Sequence, residues 1–167
     1  RLATMAFYEG CDPFHFVSEV RREGDRWILN GEKLLITGAA ICDTFILFIR
    51  EKESNDLMGF LVDVKDPGVS IEPVSCMGAR TMGTGNIKLT DVCLTDDRIL
   101  CQADGLYHAG RIYRDRRAQD AAFLVGMTQA ILHDALDDLS KRVRYRKPVL
   151  DYPNVQRSIG EMQEKLE

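Results

Sequence analysis

The stretch Gly24-Asp25-Arg26-Trp27-Ile28-Leu29-Asn30-Gly31-Glu32-Lys33-Leu34-Leu35-Ile36-Thr37-Gly38 decides how the chain is read. Asn30-Gly31 lies between two apolar-rich runs. That pattern predicts a two-residue hairpin, because a type I′ turn needs positive φ at both central residues. Towards the N-terminus, Phe14, Phe16, Ser18 and Val20 alternate with His15, Val17 and Glu19, the period of a half-buried strand. Downstream, Asp43 to Ile49 and Gly59 to Val64 are apolar runs of strand length. The second closes on Lys65-Asp66-Pro67-Gly68, where proline presets φ and glycine supplies permissive backbone. Val69, Ile71 and Pro73 continue as a strand, and Gly85 to Leu94 alternates again before Asp96-Asp97. Roughly seven short strands separated by turn signals predict an antiparallel sandwich or barrel-like domain over residues 1–104.

Beyond Asp104 the apolar period becomes that of a helix. Ala118, Ala121, Ala122, Val125, Met127, Ile131, Ala135, Leu136 and Leu139 predict a long amphipathic helix from about Ala109 to about Arg144, closed by Lys147-Pro148. A second helix is announced by Asp151 as N-cap, Pro153 in the first turn, and Val155, Ile159, Met162 and Leu166 at helical spacing. The fold class is therefore α+β: a β-domain, then the long helices of an incomplete bundle over residues 105–167. The alanine-rich stripe needs further helices to cover it, which predicts an oligomer and a self-associating fragment.

Composition narrows the function classes. The net charge of −4 gives no general attraction to nucleic acid or an anionic membrane, and no apolar run approaches a bilayer-spanning length. Cys11, Cys42, Cys76, Cys93 and Cys101 are odd in number and form no C-x-x-C pair, so they read as reduced thiols of a cytosolic-type compartment. His15, His108 and His133 fall on unrelated segments without metal-ligand spacing. Gly78, Gly83 and Gly85 suggest a phosphate loop but lack its lysine and the following hydroxyl residue. The chain opens at Arg1 without methionine and ends inside a charged helical pattern, so both ends read as cut.

Taken in order along the chain, these motifs resemble the acyl-CoA dehydrogenase family. The stretch around Asn30-Gly31 is similar to the family's D-G-x-Y-V-L-N-G-x-K-x-W-I-T-N, with Leu35 in place of tryptophan. Ala3 to Asp12 occupies the place of A-M-T-E-P-G-A-G-S-D. There Met5 replaces a threonine, Ala6-Phe7-Tyr8 replace Glu-Pro-Gly, and Cys11 replaces a serine. Gly78-Ala79-Arg80-Thr81 and Thr90-Asp91-Val92 are similar to K-x-G-x-R-x-S and F-x-D-V. Arg117, Ala121-Ala122 and Gly126 match the first helix of the family's C-terminal domain. Lys141 to Pro148 is similar to E-R-x-x-F-G-x-P, with Arg146 for glycine. Val155-Gln156 and Glu161-Met162 are similar to V-Q and E-M in the next helix, where Pro153 replaces a glutamine.

The resemblance implies FAD as cofactor, contacted by Thr4, Met5, Leu35, Ile36 and Thr37, with Arg142 and Arg144 near its pyrophosphate. It implies an acyl-CoA substrate met by Cys11, Tyr113 and Arg117, an electron-transfer flavoprotein as partner, and a homo- or hetero-oligomer. The location implied is the cytoplasm, or the mitochondrial matrix of a eukaryote. Thr37 would hydrogen-bond the flavin near its hydride-accepting nitrogen; without the resemblance it is an ordinary β-branched strand residue. Arg142 and Arg144 read equally as a solvated face at a helix C-terminus. The catalytic glutamate lies, in this family, either at the place of Arg116, which accepts no proton, or after residue 167. No residue of the chain is therefore assigned as catalytic base. The activity implied is α,β-dehydrogenation of an acyl thioester. The alternative, motivated by Met5, Leu35, Arg116 and Pro153, is a catalytically silent homologue serving as a structural or partner subunit.

Overall fold

The computed structural model describes residues 1–10, 12 and 15–166, and the chain divides into two units, Arg1–Arg111 and Ile112–Glu167. The first unit holds β1 (Ala3–Ala6), β2 (Glu19–Glu23), β3 (Arg26–Ile36), β4 (Thr44–Glu51), β5 (Leu57–Asp63), β6 (Val69–Pro73), β7 (Gly85–Leu94) and β8 (Ile99–Cys101). They form one mixed sheet in the order β6-β7-β3-β2-β4-β5-β8, with β1 added against β4. β1 and β2 each run parallel to β4, and the other pairings are antiparallel. Trp27 on β3 meets Phe60 on β5 edge to face at 5.9 Å, although two strands separate them in the sheet. The sheet therefore curls over its own apolar face. Leu29, Phe45, Leu47, Val62, Ile87 and Val92 fill the fully buried interior.

The expected hairpin at Asn30-Gly31 does not exist. β3 runs straight through that pair, and the β2–β3 turn is at Gly24-Asp25, where Gly24 has φ +63°. Gly31 serves a different need. At φ +143° it faces Ser18, and a Cβ there would lie 2.2 Å from Ser18 Oγ. The vacancy lets the Ser18 hydroxyl accept from the Glu32 amide at 3.1 Å and donate to the Glu32 carbonyl at 3.2 Å. Asn-Gly here marks close backbone approach inside a strand, not a turn. The expected strand over residues 14–20 is likewise shorter: β2 starts at Glu19, residues 15–18 are not strand, and Phe14 lies outside the described residues.

β3 and β7 carry two bulges that set the faces. Opposite Asn30, β7 spends two residues, Thr90 and Asp91, so that Leu89 and Val92 both point inward. Asp91 has φ +49°; its amide donates to Asn30 Oδ1, and Asn30 Nδ2 donates to Asp91 Oδ1, both at 2.9 Å. Opposite Asn86, β3 spends two residues, Leu34 and Leu35. A bulge moves every later side chain to the other face of the sheet.

The long helix α1 begins at Gly105 in the first unit, continues through the second and ends at Lys141, earlier than the sequence suggests. A small hairpin follows, β9 (Val143–Arg144) with β10 (Lys147–Pro148), turned by Tyr145 and Arg146 at φ +47° and +72°. This is the type I′ geometry expected at the wrong place. α2 (Pro153–Leu166) starts at proline directly after Tyr152, so Asp151 is not its cap and lies instead in a short 3₁₀ turn. Phe123, Leu124, Met127 and Ile131 are exposed on one side of α1 and Val125 on another, the pattern of a helix made to be surrounded. Among the described residues, no helix is long and apolar enough to cross a membrane.

Gly31→Ala is expected to cost about 3 kcal/mol, the upper range for forcing extra atoms into packed structure, because Ser18 must be expelled. Urea unfolding of the variant would show the lower midpoint.

Candidate functional site

Lys33 occupies an inward position of β3 beside Trp27, Leu29 and Gly31, and its side chain is fully buried. Its ammonium donates to the carbonyls of Phe7, at 3.3 Å, and Phe48, and to the Glu9 carboxylate. Three donors meet three acceptors, the condition for keeping such a charge inside protein. The other Glu9 oxygen accepts from the amides of Val17 and, at 2.7 Å, Ser18. Burial pushes Lys33 down to about 8, with Glu9 opposing. One ion pair thus ties the segment after β1 to β3, β4 and the entry to β2. Phe7 packs edge to face on Phe16 at 4.9 Å and on Phe48 at 5.9 Å, and Phe16 walls an open cleft of about 320 Å³ with Arg50, Asn55, Leu57 and Leu106.

Fixing that segment sets β1 beside the end of β3. Thr4 Oγ1 donates to the Thr37 carbonyl at 2.6 Å, and the Leu34 amide donates to the Tyr8 carbonyl at 2.8 Å. The bulge then sorts the three residues that follow Leu34. Strict alternation would bury Leu35 with Lys33 and expose Ile36; instead Ile36 is 2% exposed in the core and Leu35 is 64% exposed. Leu35 has φ +54°, rare for a branched side chain, and its amide is held by Asn86 Oδ1 at 2.9 Å. Thr37 is half-buried in the turn that follows, and Gly38, at φ +83°, packs against Thr4.

Thr4 and Thr37 are therefore brought together in the first unit, with Leu35 two residues before Thr37; Ile36 is turned into the core, and Met5, next to Thr4 on β1, pairs with Ile46 of β4. Cys11 lies outside the described residues. Tyr113, Arg117, Arg142 and Arg144 belong to the second unit. There Arg142 pairs with Asp138 at 3.6 Å, and the Arg144 carbonyl accepts from Tyr152 Oη at 2.9 Å. Arg116 pairs with Asp120 at 3.7 Å. The sequence reading overlooked Glu9 and Asn86. Its missed signal was Lys33 itself: a lysine on the inward period of a strand demands a buried acceptor set.

The sequence matches the acyl-CoA dehydrogenase middle-domain family over residues 8–92, half of the chain. It is 32% identical over 162 residues to a 3-(aryl)acrylate reductase of Clostridium sporogenes, covering 94% of this chain and 43% of that protein. It is 28% identical over 149 residues to the caffeyl-CoA reductase-Etf complex subunit CarC of Acetobacterium woodii, covering 86% and 39%. The fold matches a glutaryl-CoA dehydrogenase of Mycobacterium smegmatis in complex with FADH2 at TM-score 0.89 and 24% identity, over 99% of this chain and 43% of that one. The chain spans less than half the length of these relatives.

Because Lys33 releases its proton at about 8 in the folded chain and 10.5 ordinarily, the unfolded chain holds more protons between those values. Stability is therefore expected to rise with pH from about 8 to about 10.5, the burial cost being fully present below that window. Lys33→Met should flatten this slope and, by stranding Glu9, cost about 3–5 kcal/mol at neutral pH. Denaturant unfolding of both proteins across the window gives both numbers.

Proposed function

The chain belongs to the acyl-CoA dehydrogenase family, and on that footing we propose that it is part of a flavin-dependent oxidoreductase that dehydrogenates an acyl-CoA thioester between its α and β carbons. The observation supporting this most directly is the β3 bulge, which turns an apolar side chain out of the sheet two residues before Thr37. An exposed leucine on left-handed backbone, next to two threonines and a glycine turn, suits a flat ring that is apolar on its faces and polar at its edges. Backbone of this kind persists only where surrounding contacts hold it, and it concentrates at functional sites.

In this reading the cofactor is FAD, which when bound supplies hydride acceptance. Leu35 covers one ring face by dispersion. The Thr37 hydroxyl orients the ring edge, and Thr4, Met5 and the Ile36 backbone line its surroundings. Arg142 and Arg144 carry the positive charge that the pyrophosphate needs, while Cys11, Tyr113 and Arg117 serve the acyl-CoA. Arg116, a permanent cation paired with Asp120, cannot remove the α-proton, so the base comes from elsewhere in the whole protein. An electron-transfer flavoprotein is the proposed redox partner, supported by the Acetobacterium relative that is named as part of an Etf complex. The apolar sides of α1 support a homo- or hetero-oligomer, and a cytoplasmic or matrix location fits this chemistry. A second reading, a catalytically silent partner subunit, draws its support from Arg116.

The whole protein is expected to purify yellow and to be bleached by an acyl-CoA substrate; a colourless protein that takes up no flavin favours the silent subunit. Thr37→Ala keeps the carbonyl that receives Thr4 Oγ1, so it removes only the hydroxyl. Flavin reduction should then slow about tenfold, the worth of one good hydrogen bond, with substrate binding little changed. Stopped-flow reduction measures it, and unchanged kinetics would take Thr37 out of the mechanism.

A further inference from the structure

We infer that Asn86 is a positioning residue for the flavin ring, acting through Leu35. The inference rests on the flavin reading above and goes beyond it, since Asn86 belongs to neither the proposed cofactor contacts nor the substrate contacts. Asn86 is the single β7 residue that faces two residues of β3, Leu34 and Leu35. Its Oδ1 accepts the Leu35 amide at 2.9 Å, standing in for the ladder acceptor that the bulge takes away. Without that acceptor, an amide on φ +54° backbone loses its partner in the sheet.

Two ways out are then open to the strand. Leu35 can return to the β region, which restores strict alternation and drives the leucine inward towards the side of Lys33. Alternatively the strand end can fray, and Thr37 moves with it, loosening the carbonyl that receives Thr4 Oγ1. Either outcome removes the apolar face or the polar edge from the place where the ring is proposed to lie. The other bulge in this strand pair shows the same device. Asn30 Oδ1 accepts the amide of Asp91, which is also left-handed, at 2.9 Å. That site lies among Arg21, Asn30 and Asp91, away from Thr4 and Thr37, and it sets the core faces of β7. The same carboxamide chemistry therefore serves the core at one bulge and the ligand edge at the other.

The test uses the whole protein in three variants: Asn86→Ala, which removes the acceptor; Asn86→Asp, which keeps it; and Leu35→Gly, which permits the backbone but deletes the side chain. Flavin affinity is read by fluorescence titration of the apoprotein, ring environment by visible circular dichroism, and fold by thermal unfolding of the apoprotein. Asn86→Ala should weaken flavin binding about tenfold and alter the visible dichroism, with little change in apoprotein unfolding. Asn86→Asp should stay within about twofold of the parent, as one retained hydrogen bond implies. Leu35→Gly should weaken binding as Asn86→Ala does, and it decides the matter should the alanine variant not fold. Unchanged affinity and dichroism in Asn86→Ala or in Leu35→Gly would overturn the inference, as would a loss of affinity that merely follows a loss of apoprotein stability. A parent protein that binds no flavin would overturn the flavin reading instead.

Discussion

A buried ammonium needs every proton accepted, and Lys33 meets that demand by drawing two separate pieces of chain around itself. Phe48 comes from β4, which lies beyond β2 in the sheet, while Phe7 and Glu9 come from the segment after β1. Because Glu9 also receives the Val17 and Ser18 amides, the same charge fixes how the chain enters β2. Ser18 can stand there only because Gly31 has no side chain. Removing any member leaves a charge or an amide inside protein without a partner, which costs more than the pair contributes. Loop anchoring, strand entry and the position of β1 are thus one event.

The second constraint is register. β3 is long, and a strand of that length keeping strict alternation would place Leu35 inward and Ile36 outward. One inserted residue on each of β3 and β7 lets both strands bury their large apolar groups along their whole length while turning chosen residues out. Each insertion forces a non-glycine residue into left-handed backbone, and each is stabilised by an asparagine across the sheet. The cost of the strained residues, about 1–2 kcal/mol each, is offset by core burial and by the amides that the asparagines satisfy.

The departures from the family pattern have physical counterparts. Arg146 adopts φ +72° where the pattern has glycine, so the small hairpin after α1 keeps its shape with a residue that does not favour it. Pro153 stands at the first position of α2, where its missing amide costs nothing to the helix. Ala6 takes the place of the pattern's glutamate and is fully buried in the core, and the acid needed by Lys33 arrives three residues later as Glu9. Leu35 replaces a tryptophan but keeps an apolar side chain pointing outward.

The sequence by itself determined the class of each segment: Thr44–Glu51, Leu57–Asp63, Val69–Pro73 and Gly85–Leu94 are strands where apolar runs and turn residues indicate them, and helices follow. Those signals are local, set by period and by the φ preferences of proline and glycine. It also carried the family resemblance, and with it Thr4, Leu35 and Thr37; a tertiary hydrogen bond brings Thr4 and Thr37 together. Only the tertiary structure decided what Asn30-Gly31 is for. An Asn-Gly pair satisfies a turn and a close cross-strand approach equally well, and Ser18 arrives from a dozen residues away to select the second. The type I′ turn at Tyr145-Arg146 was invisible because neither residue prefers positive φ. The roles of Glu9 and Asn86 were out of reach because a buried charge and a bulge are defined by partners distant along the chain, while Lys33, on the inward period of its strand, marked only that an acceptor set was needed.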